Sequence, residues 1–195
     1  MMDAALKMPP SDMSVPEFLA WAEATPGRWQ LVDGEPHAMA AATRTHGALQ
    51  SEAALLLGLH LRDRGRECSV ITAAGIIPRV NAGTNVRIPD LAVTCSGYVD
   101  EEATLADPVL VIEILSPSNK AETWSNVWTY TTIPSVREIL ILRTAGIGAD
   151  LLRRNADETW PDKPISIEDG ELVLESIGFR GALSAFYRTT RFATP

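Results

Sequence analysis

The run Pro108-Val-Leu-Val-Ile-Glu-Ile-Leu115 constrains this chain more than any other segment. Seven of its eight residues are apolar, a pattern that predicts a strand covered on both faces. The exception is Glu113. An ionised carboxylate in such surroundings is costly unless an arginine, a hydrogen-bond network or a metal ion compensates it. A second acid, Asp90, lies 23 residues earlier in Arg87-Ile-Pro-Asp-Leu-Ala-Val-Thr94. It opens another apolar run just after a proline, where a strand would start. Two carboxylates arriving on neighbouring strands can share one hard cation, so the pair is a candidate metal site.

Helices and turns are legible around these strands. Ser14-Val-Pro-Glu17 has the form of a capping box, which predicts a short helix through Phe18, Leu19 and Trp21. Arg28–Val32 and Glu35–Met39 read as a hairpin around Asp33-Gly34. Thr45 is placed to cap a long helix carrying Leu49, Ala53, Leu57 and Leu61, which Gly65 closes. Strands are expected at 68–72, 76–80, 91–94, 109–115, 136–142 and 149–153. Asn119 with Glu122 predicts an N-cap for a helix reaching Tyr130. Loops, short strands and a local helix near Ala182–Phe186 complete a single mixed α/β domain over residues 14–195, preceded by a flexible leader at 1–13.

Composition excludes some functions. No segment approaches the 18 apolar residues of a membrane-spanning helix, and the N-terminus lacks the features of a secretory signal. Cys68 and Cys95 form no Cys-x-x-Cys pair, which weighs against zinc and predicts reduced, buried thiols in a cytoplasmic protein. A net charge of −8 weighs against binding nucleic acid through the general field of the molecule. It leaves room for a local basic groove. Arg62, Arg64 and Arg66 read as a solvated helix end, where cations oppose the dipole favourably.

The ordered set Pro89-Asp90 and Glu113-Ile-Leu-Ser-Pro-Ser118 resembles the Uma-family restriction-endonuclease-like proteins of the PD-(D/E)XK nuclease superfamily. Arg28-Trp-Gln-Leu-Val-Asp-Gly-Glu35, His46 and Ile133-Pro-Ser-Val-Arg-Glu-Ile139 extend the likeness over most of the chain. The resemblance implies a restriction-endonuclease-like fold: a central mixed β-sheet flanked by helices, with an N-terminal helix and hairpin. It further implies Mg²⁺ or Mn²⁺ bound by Asp90, Glu113 and the Ile114 backbone carbonyl, and hydrolysis of a phosphodiester in DNA. Gln30, Glu35, His46, Glu122 and Tyr130 are accessory candidates.

The chain departs from that pattern at two points. The catalytic lysine of the superfamily would stand two residues after Glu113, where Leu115 is found. In the resembling family it stands on the next helix, four residues before a tyrosine, and here that residue is Asn126. Glu122, Asn126 and Tyr130 share one helical face, so the frame remains without its charge. Lys120 is the nearest lysine. Many relatives have glutamate where this chain has Gln30, with Glu35 the nearest substitute. An endonuclease impaired at Asn126 and an inactive nuclease-fold binding module are both compatible with these residues. A subunit whose partner supplies the missing charge is a third option. Trp124 and Trp128, or the apolar strand, offer an interface for a homodimer.

Overall fold

Local signals place the first elements. Ser14 and Glu17 close the capping box of helix α1 (Val15–Ala24), the Ser14 N–H and Oγ both donating to Glu17 Oε2 at 2.8 and 2.6 Å. Strands β1 (Trp29–Val32) and β2 (Glu35–Ala38) pair antiparallel. Their turn residues Asp33 and Gly34 have φ of +49° and +87°, the left-handed pair that two-residue hairpins favour. Gly34 is also required by space, because a Cβ there would stand 3.2 Å from the Asp12 Cα. The computed structural model describes residues 10–65, 67–97 and 103–193. The expected leader and Arg66 therefore lie wholly or largely outside the described residues. Met13, within them, is buried with Val15, Phe18, Leu31 and Val86.

Helix α2 (Arg44–Asp63) starts two residues earlier than a cap at Thr45 would allow. Thr43 is the N-cap, its hydroxyl accepting the His46 N–H at 3.3 Å. That shift moves His46 from the first helical position to the third. Gly65, at φ +60°, lies just beyond the helix end.

Strands β3 (Ser69–Thr72), β4 (Leu91–Thr94), β5 (Pro108–Leu115), β6 (Glu138–Arg143), β7 (Ala149–Arg153) and β8 (Ile165–Ile167) form one sheet in that order. Neighbours run antiparallel except β5 and β6, which are parallel. Helix α3 (Lys120–Tyr130) makes the crossover that a parallel pair needs. Alternation along β5 divides the core. Leu110, Ile112 and Ile114 pack with Leu49, Ala53 and Leu57 of α2. Val111 and Leu115 pack with Val127 and Tyr130 of α3. The β9 (Glu171–Leu174) and β10 (Phe179–Ala182) hairpin and the 3₁₀ turn Leu183–Tyr187 add to the α2 side. Strand β5 is paired along both edges, so it is not available for self-association.

Two further expectations fail. The segment 76–80 is not a strand. Ile76 alone bridges Arg87, through N–H···O bonds of 2.8 and 2.9 Å, and Pro78 lacks the N–H to extend the ladder. Nor are Cys68 and Cys95 free thiols. They flank the Ser69–Thr94 pair of the β3–β4 ladder, so register sets them opposite one another, and they are joined as a disulfide. The cysteine argument for a cytoplasmic location falls with that pairing. Among the described residues no helix is long and apolar enough to cross a membrane.

Candidate active site

The β4–β5 register pairs Leu91 with Ile112, and one step further sets Asp90 opposite Glu113. Both acids are buried. Asp90 is held on all sides. Its Oδ2 accepts the Ile114 N–H at 2.7 Å, and its Oδ1 lies 2.7 Å from His46 Nε2. Gln50, one turn after His46 on α2, donates Nε2 to the Asp90 carbonyl at 2.8 Å. The Thr43 cap thus determines which α2 side chains reach the sheet end. Glu113 faces α3, where the Tyr130 O–H donates to its Oε1 at 2.7 Å. Burial pushes the Glu113 carboxyl well above the ordinary carboxylate range, and the adjacent Asp90 charge pushes the same way. Burial and the Glu113 charge likewise raise the Tyr130 phenol, which keeps it a donor.

The acids open onto a cleft of about 130 Å³ that also presents His46, Gln30, Glu122 and Asn126, with Arg28 at its exposed rim. Glu122 does not cap α3. A capping box forms one turn earlier, where the Ser116 N–H and Oγ donate to Asn119 Oδ1 at 3.0 and 2.8 Å. Glu122 is left free to accept Gln30 Nε2 at 2.8 Å, across 92 residues of sequence. Asn126 Nδ2 in turn donates to Gln30 Oε1 at 3.4 Å. The other end of that amide, Asn126 Oδ1, is buried without a partner.

Several candidates are placed elsewhere. Lys120 lines a separate cavity of about 570 Å³ with Trp124 and Arg143, on the far side of Ser116. Glu35 sits at the hairpin turn, 3.9 Å from His37, and is no substitute for an acid at Gln30. Ile114 contributes its N–H to Asp90, and its carbonyl is not part of the cleft wall. Leu115, where the lysine of the superfamily would stand, packs among the apolar residues under α3. Arg87, an arginine that could have compensated Glu113, makes no ion pair among the described residues. It is buried, its Nε has no partner, and burial lowers the guanidinium from its usual range. Sequence reasoning missed Gln50 and Arg28. Spacing of i, i+4 from His46 was the available signal for Gln50; Arg28 carried none.

The donor set suits a hard dication in one respect. Two carboxylates stand so close that one raises the other, and a divalent ion would relieve that repulsion. Among the described residues no group of three or more His, Cys, Asp or Glu is gathered for a metal. Magnesium sites commonly use only one or two carboxylates and complete the shell with water and substrate oxygens, so the pair fits that ion class.

The model of the Uma2 family, described as "Putative restriction endonuclease", matches residues 15–185. Among solved structures, the crystal structure of "a putative nuclease belonging to DUF820 from Anabaena variabilis ATCC 29413" matches with a TM-score of 0.70 at 15% identity. The alignment covers 90% of this chain and 97% of that one. At that identity the likeness speaks for the fold. Comparison with curated proteins finds no match.

Proposed function

The chain belongs to the Uma2 family of restriction-endonuclease-like proteins, and from that premise we propose a phosphodiester hydrolase of nucleic acid, with DNA as substrate, that works with Mg²⁺ or Mn²⁺. The observation that carries this reading is the buried Asp90–Glu113 pair at the mouth of a polar cleft. Asp90 and Glu113 are the residues that would hold the ion. When bound, such an ion supplies a Lewis acid for the phosphate and lowers the pKa of a coordinated water. The remaining groups position and charge the site. His46 and the Ile114 N–H fix the Asp90 carboxylate, and Tyr130 fixes Glu113. Glu113 must give up its proton to the cleft before it can act as a ligand. Arg28 offers the rim a positive charge for a phosphate. Asn126 cannot neutralise charge as a lysine would, and losing one such group commonly costs about 10²–10³ in rate. Trp128, exposed on α3, offers an aromatic anchor for a homodimer.

A specific observation favours a second reading, a binding module without catalysis. Among the described residues, the only lysine or arginine lining the cleft is Arg28.

Titration of Mn²⁺ into the protein, beside an Asp90→Ala/Glu113→Ala variant, tests the first reading. Saturable binding that the double variant loses, followed by Mn²⁺-dependent nicking of plasmid DNA, supports the hydrolase. Binding without nicking supports the module. No wild-type binding at millimolar Mn²⁺ removes the metal-dependent reading.

A further inference from the structure

The assignment of oxygen and nitrogen in an Asn or Gln amide comes from the hydrogen-bond network, and here the network permits one assignment. It begins at Glu122. A carboxylate oxygen accepts, so Gln30 turns its NH₂ toward Glu122, at 2.8 Å. Gln30 then has only its oxygen left for Asn126. Asn126 must answer with its own NH₂, at 3.4 Å. The Asn126 oxygen is the end that remains. It belongs to a residue only 7% exposed that lines the acid cleft, and it is buried with no partner. A buried acceptor in that state is destabilising until something donates to it.

We propose that Asn126 presents its carbonyl oxygen to the cleft and accepts a hydrogen bond from a water of the cation held by Asp90 and Glu113. This rests on the metal-dependent reading above. The position favours such a role, since Asn126 lies one turn before Tyr130 on the face of α3 whose Tyr130 O–H anchors Glu113. Water bound to a dication points its hydrogens outward and can only donate, which matches a lone acceptor. A phosphate oxygen could not use that acceptor, so the residue selects for the hydrated ion and not for the substrate. Glu122 and Gln30 are then positioning residues. They do not touch the ion, and they fix which end of Asn126 faces it.

The test is calorimetric titration of Mn²⁺ at pH 8 into wild type, Asn126→Leu, Gln30→Leu and Asp90→Ala/Glu113→Ala, each checked for a cooperative melt. Both leucine variants leave the charge unchanged, so a shift in affinity is not a long-range electrostatic effect. Asn126→Leu is expected to keep the stoichiometry and raise Kd about 3- to 10-fold, the worth of one hydrogen bond. Gln30→Leu, which frees the Asn126 amide to turn, should raise it by a smaller factor, and it carries the test alone if Asn126→Leu does not fold. Wild-type Kd in the folded variants overturns the inference and leaves the metal site standing. A lower Kd in Asn126→Leu overturns it also, because a donor would then have faced the ion. Absence of binding by wild type, or its persistence in the double variant, overturns the metal-dependent reading and this inference together.

Discussion

Replacing Glu113 with glutamine isolates the proton that the fold forces onto this carboxyl. The glutamine oxygen can still accept the Tyr130 O–H, held at 2.7 Å in the parent, so shape and bond survive while ionisation is lost. Burial and then the Asp90 charge raise Glu113 well above its ordinary value of 4.5. The folded chain therefore keeps a proton that the unfolded chain releases. Stability from this group is complete below about pH 4.5 and is lost as pH rises toward the folded value. Within that window the folded state holds about one extra proton, so stability falls by about 1.4 kcal/mol per pH unit. For a chain of this length, 1 kcal/mol moves the melting temperature by about 2–4 °C. The wild type should thus lose about 3–6 °C per pH unit relative to Glu113→Gln, beginning near pH 5. Thermal melts of both proteins from pH 5 to 8, with EDTA present, read this directly. Parallel curves, or a variant that weakens relative to wild type as pH rises, would refute the reasoning. Mn²⁺ extends the same experiment to function, since an ion that replaces the proton should restore the wild type at pH 8 and do less for the variant.

Asn126→Lys returns a cation to the helical face of Tyr130 and should raise DNA hydrolysis at saturating Mn²⁺ by about 10²–10³-fold; a folded variant at the wild-type rate would show that charge at this position is not limiting. Lys120→Ala should leave both Mn²⁺ affinity and hydrolysis unchanged, because Lys120 lines a different cavity; a tenfold loss in either would place it in the acid cleft. Cys68→Ser/Cys95→Ser opens a cross-link spanning 27 residues and should cost about 3.5 kcal/mol by loop-closure entropy, or about 7–14 °C in melting temperature. An unchanged melt under non-reducing conditions would show that the link does not restrain the chain.

What was legible in the sequence was whatever depends on near neighbours or on an apolar run. The Ser14–Glu17 box, the Asp33-Gly34 turn and the β5 strand are local, and Asp90 and Glu113 stand out because acids are rare in such runs. What was not legible depends on register and on which face a residue presents. Cys68 and Cys95 meet only because β3 and β4 pair as they do. Glu122 had a good local partner in Asn119, but Ser116 took that partner first and left Glu122 to a residue 92 positions away. Thr45 was read as the cap where Thr43 serves, and those two residues decide whether His46 opens the helix or sits at its third position, against Asp90. Lys120 is close to Asn126 in sequence, yet it lies on the other side of the Ser116 turn.

The net charge of −8 bears on substrate binding less than the way the charges are used. Arg137, Arg143, Arg153, Arg154 and Arg180 are each paired with a carboxylate, all in the last third of the chain. Arg28 at the cleft rim and Arg44 beside the cleft-lining Thr43 enter no ion pair among the described residues. Exposed charges beyond a Debye length of about 8 Å are largely screened at physiological salt, so an arriving phosphate responds to these arginines and to the cleft itself. The cleft presents Asp90 beside a Glu113 whose carboxyl burial pushes well above the ordinary range, with Glu122 at the wall. An acidic surface of this kind would repel phosphate, and on the proposed reading a dication would neutralise it, since a bound ion is the largest local charge in such a site. On the proposed reading Asp90 and Glu113 would hold the ion, Glu113 giving up its proton to do so, and nucleic acid would bind more readily to the neutralised cleft.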